Sequence, residues 1–251
     1  MKSLGIDIGS RTIKTVLLND YKIEQWEVVD ATSRPSRIAR KLIEKHEQIP
    51  TVATGYGRHL LEKEGIPSVT EIKACACGSR FLSNDVRSII DIGAQDLKTI
   101  ALDTNGKIAK FEMNDRCAAG TGKFLEIMAQ KLGYKIEEFG NAALKGKKKI
   151  IISSLCTVFA ESEVIGLLNR DESPEDIALA VHYSAIKKIT SMYKRISSLN
   201  FPVYLVGGGA LNPALKVLLQ QELETDVVVP DNPQTVIALG AGIIASEKST
   251  H

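Results

Sequence analysis

The chain has 251 residues, 44% of them hydrophobic and 25% charged, so it can bury a large core as one or two closely joined domains. Its formal net charge is +2 and residues 145–149 form its only basic run, which argues against nucleic-acid or membrane-surface binding. No stretch reaches the ~18 apolar residues of a membrane span and no leader pattern precedes the first apolar run, so we expect a cytoplasmic protein whose four cysteines are thiols or metal ligands rather than disulfides.

The first predicted element is a β-hairpin. Two apolar runs, residues 4–8 and 13–18, flank the turn Gly9-Ser10-Arg11-Thr12. The pattern then predicts a strand at 22–29, a helix at 37–45, a short strand at 51–54 before Gly55-Tyr56-Gly57, and a helix after Thr70-Glu71. That helix is rich in small residues, which permit close helix crossing, and Cys75 and Cys77 are interpreted as buried packing residues rather than ligands.

The hairpin recurs later in the chain. Residues 90–99 repeat residues 6–15, 84 positions apart, with Asp-Ile-Gly and Lys-Thr in the same register. The repeat indicates two similar lobes facing each other, the alternative being two unrelated hairpins with glycine turns. A glycine in such a turn lets backbone N–H groups approach phosphate oxygens, and an aspartate at the strand end can hold a divalent cation or its water. The repeat therefore predicts a site that grips a polyphosphate.

A cysteine follows the second hairpin in the segment Asn-Asp-Arg-Cys-Ala-Ala-Gly-Thr-Gly-Lys-Phe, residues 114–124. We expect a helix here that ends at Gly133, capped by Asn114 or Asp115, with Cys117 near its positive end. That position suits either a thiolate on a metal or a phosphate. The segment is not a P-loop, because Cys117 stands where the first glycine is needed.

A second cysteine has a similar setting. Ser153-Ser154-Leu155-Cys156 precedes a segment with helical character. Two cysteines that each open a helix provide half of a four-thiolate site.

The remaining elements complete the second lobe and return to the first. Ser173-Pro174 predicts the start of a long helix that continues to about Leu199. A buried strand at 203–206 runs into Gly207-Gly208-Gly209, a combination that admits a flat adenine or ribose close to the backbone. A helix at 213–221, a strand at 227–229 and a second small-residue helix at 235–245 follow. The two small-residue helices are interpreted as hinge helices between the lobes.

These motifs together resemble the superfamily of actin, sugar kinases and heat-shock-chaperone ATPases. Within it, the chain is similar over its full length to the activator ATPases of 2-hydroxyacyl-CoA dehydratases and benzoyl-CoA reductases, and the two cysteine motifs are the specific part of the match. The resemblance implies an α/β, actin-like ATPase fold with two ribonuclease-H-like lobes around a nucleotide cleft. The predicted domains are residues 1–82 with 231–251, and residues 83–230, the latter carrying the cluster cysteines.

The resemblance also implies site residues. The first phosphate clamp comprises Asp7, Gly9, Ser10, Arg11, Thr12 and Lys14, and the second comprises Asp91, Gly93, Ala94 and Gln95. Gln95 is a candidate for positioning the attacking water, with a solvated turn glutamine as the alternative, and Glu71 for holding a metal-bound water. The ribose is expected at Gly120 and Gly122, the adenosine at Gly207, Gly208 and Gly209, and the cluster ligands are Cys117 and Cys156.

The implied activity is ATP-driven, one-electron reduction of a partner dehydratase or related double-cluster reductase, with ATP/ADP, Mg²⁺ and one 4Fe-4S cluster per homodimer. A ferredoxin or flavodoxin is the implied electron donor. The alternatives are a small-molecule kinase of the same fold, for which no convincing acidic base is found, and a non-catalytic scaffold of the actin type, which leaves both cysteines unexplained.

Overall fold

The computed structural model describes residues 1–31, 33–154, 156–196 and 201–248. The predicted α/β class is confirmed, since helices alternate with the strands of two sheets. In chain order the elements are β1 (Lys2–Ile8), β2 (Thr12–Asn19), β3 (Lys22–Asp30), α1 (Pro35–Glu44), β4 (Thr51–Thr54), α2 (His59–Glu62), α3 (Glu71–Leu82), β5 (Ser88–Ile92), β6 (Leu97–Leu102), β7 (Ile108–Asn114), α4 (Gly122–Lys131), α5 (Ile136–Ala143), α6 (Thr157–Leu168), α7 (Pro174–Ile196), β8 (Val203–Val206), α8 (Pro213–Leu223), β9 (Val227–Val228) and α9 (Val236–Lys248). Short 3₁₀ turns lie at Gly208–Leu211 and Pro233–Thr235.

The chain divides into two compact units. One comprises residues 1–86, 102–108 and those from 231 onward, and the other comprises residues 87–101 and 109–230. No helix among the described residues is long and apolar enough to cross a membrane.

The sheet of the first unit has the strand order β3-β2-β1-β4. β1 runs antiparallel to β2 and parallel to β4, and nearly all of its residues are buried. The small-residue helices α3 and α9 cross within this unit at very short range: a Cβ on Gly78 would clash with Val236 O, and one on Gly240 would clash with Ala74 O. The close crossing that the small residues predict is thus confirmed, and α3 and α9 are the two helices that cross each other.

The second sheet has the order β7-β6-β5-β8-β9. β5 runs antiparallel to β6 and parallel to β8, as β1 does to β2 and β4. The main core of this unit lies between the sheet and helices α4 to α8, around Phe124, Phe139 and Ile189. The repeat seen in the sequence therefore extends from the hairpin to four strands of each sheet.

Several local expectations need correction. The Cys117 segment does not open a helix directly, because α4 begins at Gly122 with Thr121 at its N-cap position. Asn114 is the last residue of β7, so neither it nor Asp115 caps α4. The long helix α7 begins at Pro174 as predicted, whereas its predicted end near Leu199 lies outside the described residues. Strand β7 and helices α2 and α5 were not predicted.

Candidate functional site

The first hairpin places a partly buried ion pair beside a tight turn. Asp7 and Lys14 are opposite each other in the β1–β2 register, and Lys14 Nζ donates to Asp7 Oδ2 at 3.0 Å. Gly9 N donates to Thr12 O at 3.1 Å and closes the turn. Ser10 and Arg11, at the tip of the turn, are exposed. The predicted first-clamp residues therefore lie together at one end of β1.

The second hairpin has the same geometry with one more carboxylate. Lys98 is opposite Asp91 in the register and lies 3.1 Å from Asp91 Oδ2 and 2.8 Å from Asp96 Oδ2. Its side chain is 2% exposed. Gly93 N donates to Asp96 O at 2.9 Å. Gln95 is exposed at this turn, a position compatible with contact to a ligand or to solvent.

Each aspartate is also packed against a glycine with a left-handed backbone. Gly207, with φ of 82°, follows β8 and leaves no room for a Cβ beside Asp91 Oδ1. Gly55, with φ of 91°, follows β4 and stands in the same relation to Asp7 Oδ1. Both glycines are required, since an L side chain would be strained at this φ and would displace the carboxylate. Sequence reasoning assigned Gly207 but missed Gly55; the signal was a Gly-x-Gly after a short strand in both halves.

The loop before α4 is tied directly to the second hairpin. Gly122 N donates to Gly93 O at 2.9 Å, and Lys123 N donates to Ala94 O at 2.8 Å. Gly122 permits this approach, because a Cβ would lie 3.2 Å from Gly93 O. Gly120, with φ of 77°, makes the preceding bend. The structure thus brings together Asp91, the Gly93-Ala94 turn, Gly122 and Gly207.

The Cys117 loop connects to this arrangement. Asn114 Nδ2 donates to Cys117 O at 2.8 Å and to Ala119 O at 3.3 Å, while Thr121 N donates to Ala118 O at 3.0 Å. The Cys117 side chain itself is exposed. Asn114 therefore stabilises the loop rather than capping a helix.

Cys156 occupies the N-cap position of α6, as its motif predicts, and is also exposed. The preceding serines are held by Glu163 of the same helix. Its carboxylate accepts from Ser153 N at 2.8 Å, Ser153 Oγ at 2.9 Å and Ser154 N at 2.9 Å. Burial would raise the pKa of Glu163, but these hydrogen bonds outweigh it and lower the pKa. Leu155 lies outside the described residues, and sequence reasoning gave Glu163 no role.

The other two cysteines pack inside the first unit, Cys75 buried as predicted and Cys77 only partly buried. Cys75 is fully buried, and Cys77 packs against the core formed by β2 and α9. Burial raises the pKa of Cys77 to about 11, which leaves its thiol protonated at neutral pH. Among the described residues no group of three or more His, Cys, Asp or Glu side chains could hold a metal ion. Glu71 is the first residue of α3, after the cap Thr70.

A buried histidine supports the loop after Gly207-Gly208-Gly209. Asn212 caps α8 by accepting from Ala214 N and Leu215 N, and its Nδ2 lies 2.9 Å from His182 Nε2. His182 Nδ1 lies 2.7 Å from Ala178 O, so this network requires the tautomer protonated on Nδ1. Burial lowers the pKa of His182 to about 4, against the opposing effect of both hydrogen bonds.

Comparison with known proteins agrees with this geometry. Residues 4–245 match the BadF/BadG/BcrA/BcrD ATPase family. The chain is 42% identical over 256 residues to the activator of lactoyl-CoA dehydratase from Anaerotignum propionicum, covering 98% of each protein. It is 39% identical, with a TM-score of 0.91, to the structure of the activator of the 2-hydroxyisocaproyl-CoA dehydratase from Clostridium difficile with bound ADPNP, covering 100% of this chain and 96% of that one.

It also resembles component A of the Acidaminococcus fermentans (R)-2-hydroxyglutaryl-CoA dehydratase, with 35% identity, a TM-score of 0.93 and complete coverage of both chains. The actin-like ATPase fold expected from the motifs is confirmed by these structures. The chain belongs to the BadF/BadG/BcrA/BcrD ATPase family.

Proposed function

We propose that this protein is an ATP-hydrolysing activator that donates single electrons to a 2-hydroxyacyl-CoA dehydratase or a related double-cluster reductase. Several relatives of matching length are named as activators or as a component of such dehydratases. These names favour the activator over the small-molecule kinase of the same fold. A kinase would also need an acidic base for a substrate hydroxyl, and the sequence offers no convincing one.

The two hairpins carry the ATPase half of the proposal. Asp7 and Asp91 are buried carboxylates beside glycine-containing turns, and successive backbone N–H groups in such turns can bind phosphate oxygens. They would hold Mg²⁺ or its water, and Mg²⁺ would neutralise charge as water attacks the terminal phosphoryl group and ADP and phosphate are released. Gln95 would orient that water and Glu71 would hold a metal-bound water.

The remaining predicted residues would bind the nucleotide. Gly9, Ser10, Arg11, Thr12 and Lys14 would contact phosphates from the first hairpin, and Gly93 and Ala94 would do so from the second. Gly120 and Gly122 would border the ribose, and Gly207, Gly208 and Gly209 the adenosine.

Cys117 and Cys156 carry the redox half. Both thiols are exposed, and thiolates are the ordinary ligands of iron–sulfur clusters. A 4Fe-4S cluster takes four of them, so two chains would each contribute two, which makes the functional unit a homodimer with a shared cluster. Such a cluster supplies one-electron chemistry. A ferredoxin or flavodoxin would be the electron donor.

The observation that carries this proposal is the short connection, within the second unit, between the phosphate-binding turn and the cysteine loop. The carbonyl groups of Gly93 and Ala94 accept hydrogen bonds from the backbone N–H groups of Gly122 and Lys123, and the loop that contains Cys117 comes directly before these two residues. A change at the phosphate-binding turn would therefore be transmitted to the cysteine loop through two hydrogen bonds and a few covalent bonds.

The test is anaerobic purification followed by iron and sulfide analysis of the wild type and of the Cys117→Ser, Cys156→Ser and Cys77→Ser variants. We expect about four irons per dimer in the wild type. Either exposed-cysteine substitution should abolish the cluster, while Cys77→Ser should keep it. A full cluster in Cys117→Ser or Cys156→Ser would contradict the assignment.

Gln95→Ala separates ATP binding from hydrolysis. The variant should bind nucleotide normally but release phosphate more slowly, because only the water would be misplaced. A normal rate of ATP hydrolysis would remove Gln95 from the mechanism.

A further inference from the structure

The loop Gly55-Tyr56-Gly57-Arg58 is the structural counterpart of Gly207-Gly208-Gly209-Ala210. Each follows a short strand that lies parallel to the first strand of the hairpin, with Thr54 opposite Asp7 and Val206 opposite Asp91. A Cβ on Gly57 would clash with the Ile8 side chain, and one on Gly209 would clash with the equivalent Ile92. The equivalence therefore extends over both glycines of each loop.

The two loops differ in the side chains that they present. Gly208 and Ala210 offer almost none, whereas the equivalent positions in the first unit hold Tyr56, which is 82% exposed, and Arg58. A bare loop lets a flat nucleoside approach the backbone, whereas a loop with a guanidinium suits an anion. Both loops lie at the carboxyl ends of parallel strands, the edge at which α/β sheets bind ligands.

The two hairpins bring few side-chain cations to a polyphosphate. Lys98 is the only Lys or Arg in residues 88–102, and its ammonium group is buried between Asp91 and Asp96. The second hairpin thus brings no accessible cation to a polyphosphate. In the first unit, Lys14 is partly exposed and donates to Asp7. A second cation beside this turn would add to the positive charge that Lys14 offers to the phosphates.

Arg58 is placed to be that neighbour. Its Nη1 and its backbone N both donate to Gly55 O at 3.2 Å, which holds the guanidinium over the loop that contacts the Asp7 carboxylate. Within the described residues it has no carboxylate partner at ion-pair distance. Its electrostatic effect on Glu62 is small, since hydrogen bonds from Ser68 and His59 are the main reasons that the pKa of Glu62 is lowered.

We propose that Arg58 binds the terminal phosphate of ATP at the carboxyl end of β4 and stabilises the charge that develops there during hydrolysis. The inference rests on the proposed nucleotide site. The loop of the second unit presents no charged side chain, whereas its counterpart in the first unit presents a guanidinium beside Asp7. An arginine that contacts the transferred phosphoryl group acts mainly on the rate of its transfer.

The experiment measures MgADP and Mg·ADPNP affinities by calorimetry, and phosphate release from ATP, for the wild type, Arg58→Gln, Arg58→Lys and the control Arg40→Gln. Arg40 is an exposed arginine of the same unit that pairs with Glu64. We expect Arg58→Gln to bind MgADP within about twofold of the wild type, to bind Mg·ADPNP about tenfold more weakly and to hydrolyse ATP at least about tenfold more slowly. Arg58→Lys should recover part of both losses, and Arg40→Gln should behave as the wild type.

A merely structural role for Arg58 predicts a different result, in which both nucleotides lose affinity equally and lysine rescues neither. That result, or wild-type hydrolysis in Arg58→Gln, overturns the proposal while leaving the ATPase assignment intact. If Arg58→Gln fails to fold, Arg58→Lys decides by the same ratio of Mg·ADPNP to MgADP affinity. A wild-type protein that binds neither nucleotide would instead refute the proposed function itself.

Discussion

Lys14 and Lys98 occupy equivalent positions in the two hairpins but have different electrostatic settings. Lys14 faces one carboxylate and remains partly exposed, whereas Lys98 faces two and is almost fully buried. Removal of one partner from a buried ion pair leaves an uncompensated charge, which is far more costly than loss of an exposed pair. The same residue type therefore has a mainly structural role in the second hairpin and remains available for ligand binding in the first.

Lys98→Met should lower the free energy of unfolding by about 3 to 5 kcal/mol, because Asp91 and Asp96 are left without their cation. Lys14→Met should cost less stability but should weaken Mg·ADPNP binding. Urea denaturation and calorimetry on both variants check this. Equal stability losses in the two variants would contradict the difference drawn between them.

His182 predicts a pH dependence of stability. Its folded pKa, lowered to about 4, lies below the ordinary value near 6.5, so only the unfolded state takes up this proton between those values. The contribution of His182 is therefore complete above about pH 6.5 and is lost as the pH falls toward 4, by roughly 3 kcal/mol in all.

Denaturant unfolding of the wild type and of His182→Gln from pH 7 to 4 measures this effect. The variant should be less stable at neutral pH and should lack this part of the pH dependence. Identical slopes in the two proteins would show that His182 does not titrate in the unfolded state as assumed.

At the level of elements, the crossing of α3 and α9 depends on glycines whose hydrogen atoms face another backbone. Gly240→Ala should destabilise the protein by more than about 3 kcal/mol, since its methyl group would clash with Ala74 O and the helices would have to separate. Gly166→Ala in α6 is the control, because no atom lies within 4 Å of the added Cβ. It should stabilise the protein by about 0.5 to 1 kcal/mol through helix propensity. Thermal unfolding of both variants tests this prediction, which is wrong if both substitutions change the unfolding temperature in the same direction.

The start of α6 depends on one carboxylate. Glu163→Gln replaces one acceptor oxygen with an NH₂ group, so the Ser153-Ser154 segment should open more often and Cys156 should be held less firmly. Amide hydrogen exchange at these serines should accelerate by about tenfold, and iron should be lost faster from the loaded protein. The control Glu161→Gln, also in α6, removes a surface ion pair with Lys131 of α4 and should leave both rates unchanged. Unaltered serine exchange in Glu163→Gln would refute the role of this carboxylate.

For the whole molecule, the proposed function requires nucleotide binding to be felt at the cysteines. ATP can drive an unfavourable electron transfer only if it binds two conformations with different affinities. We expect the reduction potential of the loaded protein, or its affinity for the partner dehydratase, to differ between MgADP and Mg·ADPNP. Alkylation of Cys117 in the metal-free protein should also differ between the two nucleotides, with buried Cys75 as the unreactive control. Equal values in all three measurements would leave an ATPase that is uncoupled from its cysteines.

The sequence alone was sufficient for the family, the α/β class, the repeated hairpin and the burial of Cys75. These properties depend on short spacings and on alternation of residue types, which are visible within ten or so positions. The tertiary structure was needed to recognise Gly55 and Arg58, because their relation to Asp7 exists only once β4 pairs in parallel with β1.

The tertiary structure was equally needed to find three hydrogen-bonded contacts. These are Glu163 with the serines before Cys156, His182 with Asn212, and Gly122 with the Gly93 turn. In each case a polar group meets a partner distant in the sequence, and that partner depends on how strands and helices pack. Local patterns determine which elements form, while only packing determines which polar groups satisfy one another.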